Sequence, residues 1–171
     1  MSGDADIAVG RAWTFGDGVL NDGGITTLEA TRKGIFDPAE LAASCMAGID
    51  PDFPKKATAG DFIVAGKSFG KGQLHVQGPL AIKGLGVGLL CESMTRSFFR
   101  LSVSAGVRML PFVPDILSQV GDGDTLEVRF REGVIRNRTR GTEIRTAPLP
   151  DFLWQFMDAG GERAWLASQF Q

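Results

Sequence analysis

The stretch Gly60-Asp61-Phe62-Ile63-Val64-Ala65-Gly66-Lys67-Ser68-Phe69-Gly70-Lys71-Gly72-Gln73-Leu74-His75 decides the fold of this chain. Asp61 to Ala65 is a short apolar run closed by Gly66, the pattern of a strand buried on both faces. Beyond it Gly66, Gly70 and Gly72 break any period and predict a loop. Pro79 to Leu85 then reads as a helix of small residues, and Val87 to Cys91 as a second buried strand. Strand, loop, helix and strand make a parallel βαβ unit, because parallel neighbours need a crossover connection. The fold class is α/β.

Outward from this unit, Ile7 to Trp13 reads as a first strand and Phe15 to Gly24 as a turn-rich segment. Ile25 to Gly34 is polar and shows no decisive period. Asp37-Pro38-Ala39-Glu40 opens a helix: Asp37 caps free amides, Pro38 suits the first helical position, and Glu40 completes a capping-box pattern. Leu41, Cys45 and Ile49 recur at spacing four and predict one continuous helical face. On the other side, Thr95 to Ala105 predicts a helix with Phe98, Leu101 and Ala105 on one stripe, stopped by Gly106. Val107 to Val113 reads as a strand. Thr125 to Phe130 and Val134 to Thr139 alternate around Glu132-Gly133, a hairpin signal. Pro148-Leu149-Pro150-Asp151 opens a last helix carrying Phe152, Leu153, Phe156 and Met157, which Asp158 to Gly161 end. The expected sheet mixes parallel and antiparallel strands.

Composition narrows the function. A chain of 171 residues has the size of one ordinary domain, and 1–171 reads as one unit. Size scaling predicts burial of about 69% of the unfolded surface, enough for a core without disulfide or metal staples. The 18 Lys and Arg against 20 Asp and Glu argue against a life on nucleic-acid phosphates. No apolar run approaches the roughly 18 residues of a membrane span. Met1-Ser2-Gly3-Asp4-Ala5-Asp6 lacks the basic and apolar blocks of a signal peptide, so a cytoplasmic location is expected. Cys45, Cys91 and the single His75 form no clustered ligand set, and the chain is expected to bind no zinc or iron–sulfur cluster by itself.

The glycine loop stands after a buried strand and before a helix, where backbone amides and the helix dipole favour an anion. A nucleotide reading fails on spacing. Three residues separate Gly66 from Gly70 where a P-loop needs four, and Gly72 follows Lys71 instead of Ser or Thr. Two readings stand: a tight turn, or a carboxylate cradle carrying Lys71, Gln73 and His75. On the hairpin, Arg129, Arg131, Arg136, Arg138 and Arg140 follow period two and predict a basic sheet face, either solvated or a partner surface.

Taken in order, the segments resemble a known family. Gly10-Arg11-Ala12-Trp13, Phe15-Gly16-Asp17 and Asn21-Asp22 resemble the opening of the small subunit of 3-isopropylmalate dehydratase, the swivelling domain of the aconitase superfamily. The resemblance continues through Asp37 to Ala42 and Asp50-Pro51-Asp52-Phe53. It is densest from Gly60 to Gly70, and runs on through Gly72, Pro79-Leu80-Ala81, Ser93, Arg96, Phe98, Arg100 and Gly106. Gly123-Asp124, Asn137-Arg138-Thr139 and Pro148-Leu149-Pro150 complete it. It implies a swivelling β/β/α domain that is half of an enzyme. A large subunit would hold a [4Fe-4S] cluster as the Lewis acid, in a heterodimer or heterotetramer acting on a small carboxylate. The family's swivel domain supplies a loop of the form Gly-Ser-Ser-Arg-Glu-His, with a serine as base and the arginine gripping a carboxylate.

Here the sequence departs from the family. Gln73-Leu74-His75 stands where the family has Ser-Ser-Arg, Val76 and Gln77 follow, and Lys71 lies between the glycines. Leu20 replaces an aspartate and Thr26 a proline. Gln73 cannot act as a base, whereas an imidazole titrates near neutral pH. The expectation is that Lys71, Gln73 and His75 carry the chemistry. Ser68, Gly70, Gly72 and Leu74 of the loop then contact substrate, with Leu28, Thr31 and Arg32 of the segment that matches the family's specificity loop. The alternative is a structural or regulatory swivel subunit whose Ser-Ser-Arg loop has lapsed.

Overall fold

The computed structural model describes residues 6–73 and 75–170. Its strands are β1 (Ile7–Phe15), β2 (Phe62–Ala65), β3 (Gly88–Cys91), β4 (Met109–Leu110), β5 (Thr125–Arg129), β6 (Val134–Asn137) and β7 (Thr142–Arg145). They form one sheet in the order β4-β3-β2-β1-β5-β6-β7. The helices are α1 (Leu28–Arg32), α2 (Pro38–Leu41), α3 (Phe53–Lys56), α4 (Gln77–Leu85), α5 (Arg96–Ala105), α6 (Ile116–Gln119), α7 (Asp151–Ala159) and α8 (Glu162–Gln169).

β1 is where the sheet changes character. On one side it pairs parallel to β2, with Ala12 beside Phe62 and Phe15 beside Ala65. On the other it pairs antiparallel to β5, with Gly10 beside Leu126. β2 and β3 are parallel and buried along their whole length, as unbroken apolar runs in a covered sheet must be. The β2-loop-α4-β3 unit is therefore the crossover that the sequence predicts, and β5 and β6 form the predicted hairpin.

Aromatic contacts fasten helices to both faces. Trp13 and Phe15, alternate residues of β1, each meet the ring of Phe53 on α3 edge-on at 5.4 Å. Phe62 instead meets Phe130, which meets Trp154 of α7 at 6.4 Å. Asp61 ties the strand ends together. Its buried carboxylate accepts from the backbone N–H of Arg11, the indole Nε1 of Trp13 and the backbone N–H of Thr58. Burial raises its pKa, but these hydrogen bonds outweigh burial and hold it below the ordinary carboxylate value.

Several sequence expectations need correction. Leu41, Cys45 and Ile49 do not share one helix. α2 ends at Leu41, a 3-10 turn spans Ala42–Ser44, Cys45 is extended, and Ile49 is 49% exposed. The cause is tertiary: the N–H of Met46 donates to Ile25 O at 2.7 Å and that of Gly48 to Gly24 O, which turns the chain out of the helix. The strand expected over Val107 to Val113 shrinks to Met109–Leu110, because Pro111 has no N–H to continue the ladder. Ile25 to Gly34 contains α1, capped by Thr27 Oγ1 accepting from Ala30 N. β7 and α8 carry little apolar signal: only Ile144 of β7 is buried, and no residue of α8 is.

The arginine-rich hairpin is not a bare basic face. Glu127 of β5 sits among Arg129, Arg136 and Arg138 at 3.1, 3.4 and 2.6 Å. The Arg138 contact, then that of Arg129, holds the Glu127 carboxyl below its usual range. Arg136 also pairs with Glu143, Arg140 with Asp124, and Arg131 with Asp158 while lying over the Trp154 ring. Interleaved acids, invisible to a count of arginines, neutralise the stripe. No helix among the described residues is long and apolar enough to cross a membrane.

Candidate functional site

The loop after β2 leaves the carboxyl end of the parallel strands, where ligand crevices form in α/β sheets. Phe69 anchors it, fully buried and edge-on to Phe98 of α5 at 5.3 Å. Gly70 follows with φ +74°, and a Cβ there would stand 2.0 Å from Phe98 Cγ, so only glycine fits. Thr95 Oγ1 donates to Gly70 O at 3.0 Å. The N–H groups of Gly70 and Lys71 both donate to Val19 O, and Asn21 N–H donates to Lys71 O at 2.8 Å. Asn21 then fastens the rest of the loop. Its buried Nδ2 donates to Gln73 O at 3.0 Å and to His75 O at 2.8 Å.

These bonds lay the loop alongside the segment that follows β1 and open a cleft of about 380 Å³ between them. Its walls are Leu20, Asp22, Leu28, Thr31, Arg32, Lys71, Gly72, Gln73 and His75. The fold thus gathers the expected loop residues Lys71, Gly72, Gln73 and His75 with Leu28, Thr31 and Arg32 of α1. Ser68 and Gly70 lie outside it. Ser68 is held at φ +57° with its N–H on Ser93 Oγ, and Gly70 is buried under Phe98. Leu74 lies outside the described residues.

Two wall residues, Leu20 and Asp22, are not among the site residues expected from the sequence. Asp22 is the more consequential: its Oδ2 contacts His75 Nδ1 at 2.5 Å across 53 positions. Its Oδ1 accepts from Asn21 Nδ2. The only local signal is an Asn-Asp pair in a turn, which by itself reads as turn chemistry. Lys71 and Arg32 make no ion pair among the described residues, unlike the hairpin arginines just described. The cleft therefore offers two uncompensated cations, a histidine on a carboxylate, and the apolar side chains of Leu20 and Leu28. That set suits a small carboxylate with an apolar portion.

Among the described residues, the donor chemistry does not fit a cluster or metal ion. Cys45 and Cys91 are fully buried, and burial pushes both thiols up, Cys91 to about 12, so neither offers a thiolate. Among the described residues no group of three His, Cys, Asp or Glu is placed to hold a metal. A larger groove of about 870 Å³ runs along α8 between α4 and α5. Its lysine, Lys83, is desolvated, which lowers its pKa, and donates to Gly160 O at the end of α7. That cation caps a helix.

No protein-family model matches the chain. Whole-sequence comparison is decisive instead. The chain is 41% identical over 159 residues to the 3-isopropylmalate dehydratase small subunit 1 of Methanopyrus kandleri, covering 91% of this chain and 90% of the relative. It is 43% identical over 154 residues to the 3-isopropylmalate dehydratase small subunit of Methanosarcina mazei, covering 89% and 91%. The isopropylmalate/citramalate isomerase small subunit of Methanocaldococcus jannaschii is 39% identical over 156 residues, covering 91% and 90%. The crystal structure of 3-isopropylmalate dehydratase from Methanocaldococcus jannaschii superposes with a TM-score of 0.86 at 33% identity, over 96% of this chain and 95% of that one. The chain belongs to the family of 3-isopropylmalate dehydratase small subunits.

Proposed function

We propose that this chain is the swivelling small subunit of a two-subunit hydro-lyase or isomerase acting on a 2-hydroxy di- or tricarboxylate. The observation that carries the reading is the cleft that joins Lys71, Gln73 and His75 to Leu28, Thr31 and Arg32. Arg32 and Lys71 hold substrate carboxylates, Arg32 through its planar fork and Lys71 as a point charge. Gln73 donates and accepts hydrogen bonds to orient the substrate, and Leu20 and Leu28 receive its apolar portion. His75, at the arginine's position, replaces the family's serine as the group that moves the proton next to a carboxylate. The [4Fe-4S] cluster belongs to a large subunit and, when bound there, supplies the Lewis acid for the substrate hydroxyl. The whole chain works as one domain in the cytoplasm, closing its cleft over that partner.

Its relatives support the substrate class, since the Methanocaldococcus jannaschii protein is named for isopropylmalate and citramalate. The altered loop points to a substrate other than standard isopropylmalate. The test is anaerobic co-expression with the large subunit encoded in the same genome, followed by iron determination and assay on a panel of 2-hydroxy di- and tricarboxylates. Turnover by the complex, and by neither chain alone, is expected. Full turnover by the large subunit alone overturns the reading. A complex that carries the cluster yet turns over no member of the panel identifies a structural swivel subunit with a lapsed loop.

A further inference from the structure

The contact between His75 and Asp22 settles more than proximity. A carboxylate only accepts, so in the neutral imidazole the proton sits on Nδ1 and the lone pair on Nε2. Nδ1 is engaged by Asp22 Oδ2 at 2.5 Å, and Nε2 makes no hydrogen bond among the described residues. His75 is a cleft wall, with its side chain 42% exposed, while the Asp22 side chain is 10% exposed and held on its other oxygen by Asn21. The backbone is fixed as well, because Asn21 Nδ2 bonds the His75 carbonyl. Neighbouring residues 21 and 22 therefore hold one the backbone and the other the ring of the same histidine. The other charged groups of the cleft, Lys71 and Arg32, are cations and cannot accept from the ring.

We propose that Asp22 is the positioning residue that sets the tautomer of His75 and leaves its Nε2 lone pair facing the cleft. The proposal rests on the reading of His75 as the proton-moving group. In the step, Nε2 takes the proton next to the substrate carboxylate, and the electron pair of the broken C–H bond stays on carbon. The Asp22 carboxylate, in contact with Nδ1, stabilises the imidazolium that forms, as a buried aspartate does for other catalytic histidines. The family has an arginine at the position of His75, and so no imidazole there for an aspartate to orient.

His75 is the single histidine, so ¹⁵N-histidine labelling gives one unambiguous imidazole in the full chain, alone or bound to its large subunit. The neutral ring is expected to show a protonated Nδ1 and an unprotonated Nε2. Asp22→Asn, isosteric and able to keep the Asn21 contact, presents an N–H to Nδ1 and should convert the ring to the Nε2–H form. In the assembled enzyme the same variant should lose kcat by about 10²- to 10⁴-fold with little change in KM. A wild-type ring protonated on Nε2, or a tautomer that Asp22→Asn leaves unchanged, overturns the pairing itself. A switched tautomer with undiminished kcat removes His75 from the reaction and overturns the reading on which the proposal rests. Thermal unfolding of the variant separates either result from loss of fold.

Discussion

Asn21 Oδ1 lies against the backbone of Gly78 so closely that a Cβ on Gly78 would stand 2.0 Å from it. Gly78 is in the first turn of α4, and Asn21 is the residue whose Nδ2 holds the Gln73 and His75 carbonyls. The start of the helix and the latch of the loop thus compete for one volume, and only glycine lets both be built. Gly78→Ala should displace the amide, free the loop and overpack the site, at about 1–3 kcal/mol. Urea unfolding measures the loss. Amide hydrogen exchange at His75 should speed up in parallel, and an unchanged exchange rate would show that Asn21 is no latch.

Asp61 gives the fold an acid limb. Its folded pKa lies below the ordinary value of 3.8, so the stability it confers is fully present above that pH. That stability drains away as the pH falls below 3.8 through the lower folded value. Asp61→Asn offers one acceptor oxygen for the backbone N–H groups of Arg11 and Thr58 and the Trp13 indole. It should cost about 1–3 kcal/mol for each donor left bare. Denaturation midpoints between pH 2.5 and 7 should show a shallower acid slope in the variant. Parallel curves would assign the acid limb to other carboxylates.

Ser68 pays a conformational cost without lining the cleft. It is a non-glycine residue in the left-handed region at φ +57°, with its N–H on Ser93 Oγ. Ser68→Gly keeps that bond and relieves the strain, less the extra flexibility of glycine in the unfolded chain, for a net gain of about 0.5–1 kcal/mol. A modest rise in Tm with an unchanged KM is expected. A raised KM would bring Ser68 back into substrate contact.

Arg32 and Arg138 are both exposed arginines, yet they should respond differently to removal. Arg32 ends α1 on the cleft wall without an ion-pair partner among the described residues, whereas Arg138 pairs with Glu127 at 2.6 Å. Arg32→Ala should raise KM for a dicarboxylate by tenfold to more than a hundredfold, the effect of losing about 1.5–3 kcal/mol of charge-assisted bonding. Arg138→Ala should leave KM alone. Equal effects in the two variants would move the substrate site off this cleft.

Much of the architecture was written locally. The apolar run Phe62–Ala65, the glycines after it and the run Gly88–Cys91 specify a buried strand pair with a crossover, because each pattern states its own period and its own stops. Asp37 caps its helix as its position suggests, and Thr95 caps α5, through bonds spanning only two or three residues. Family membership was legible too, since collinear short motifs survive the changes in the loop.

What escaped the sequence depended on distant partners. The face expected for Leu41, Cys45 and Ile49 was broken by pairing with Gly24 and Ile25. The basic stripe was neutralised by Glu127, Asp124 and Glu143, and β7 and α8 bury too little to announce themselves. The sequence by itself determined the βαβ unit, the hairpin, the family, and that Gln73-Leu74-His75 replaces the expected loop. Only the tertiary structure decided that Arg32 and Lys71 share a cleft and that Asp22 holds His75. The physical reason lies in the parallel pairing of β1 with β2. It brings the carboxyl ends of two strands together, so segments about fifty residues apart meet at side-chain distance. Period and capping report only what lies within a few residues along the chain.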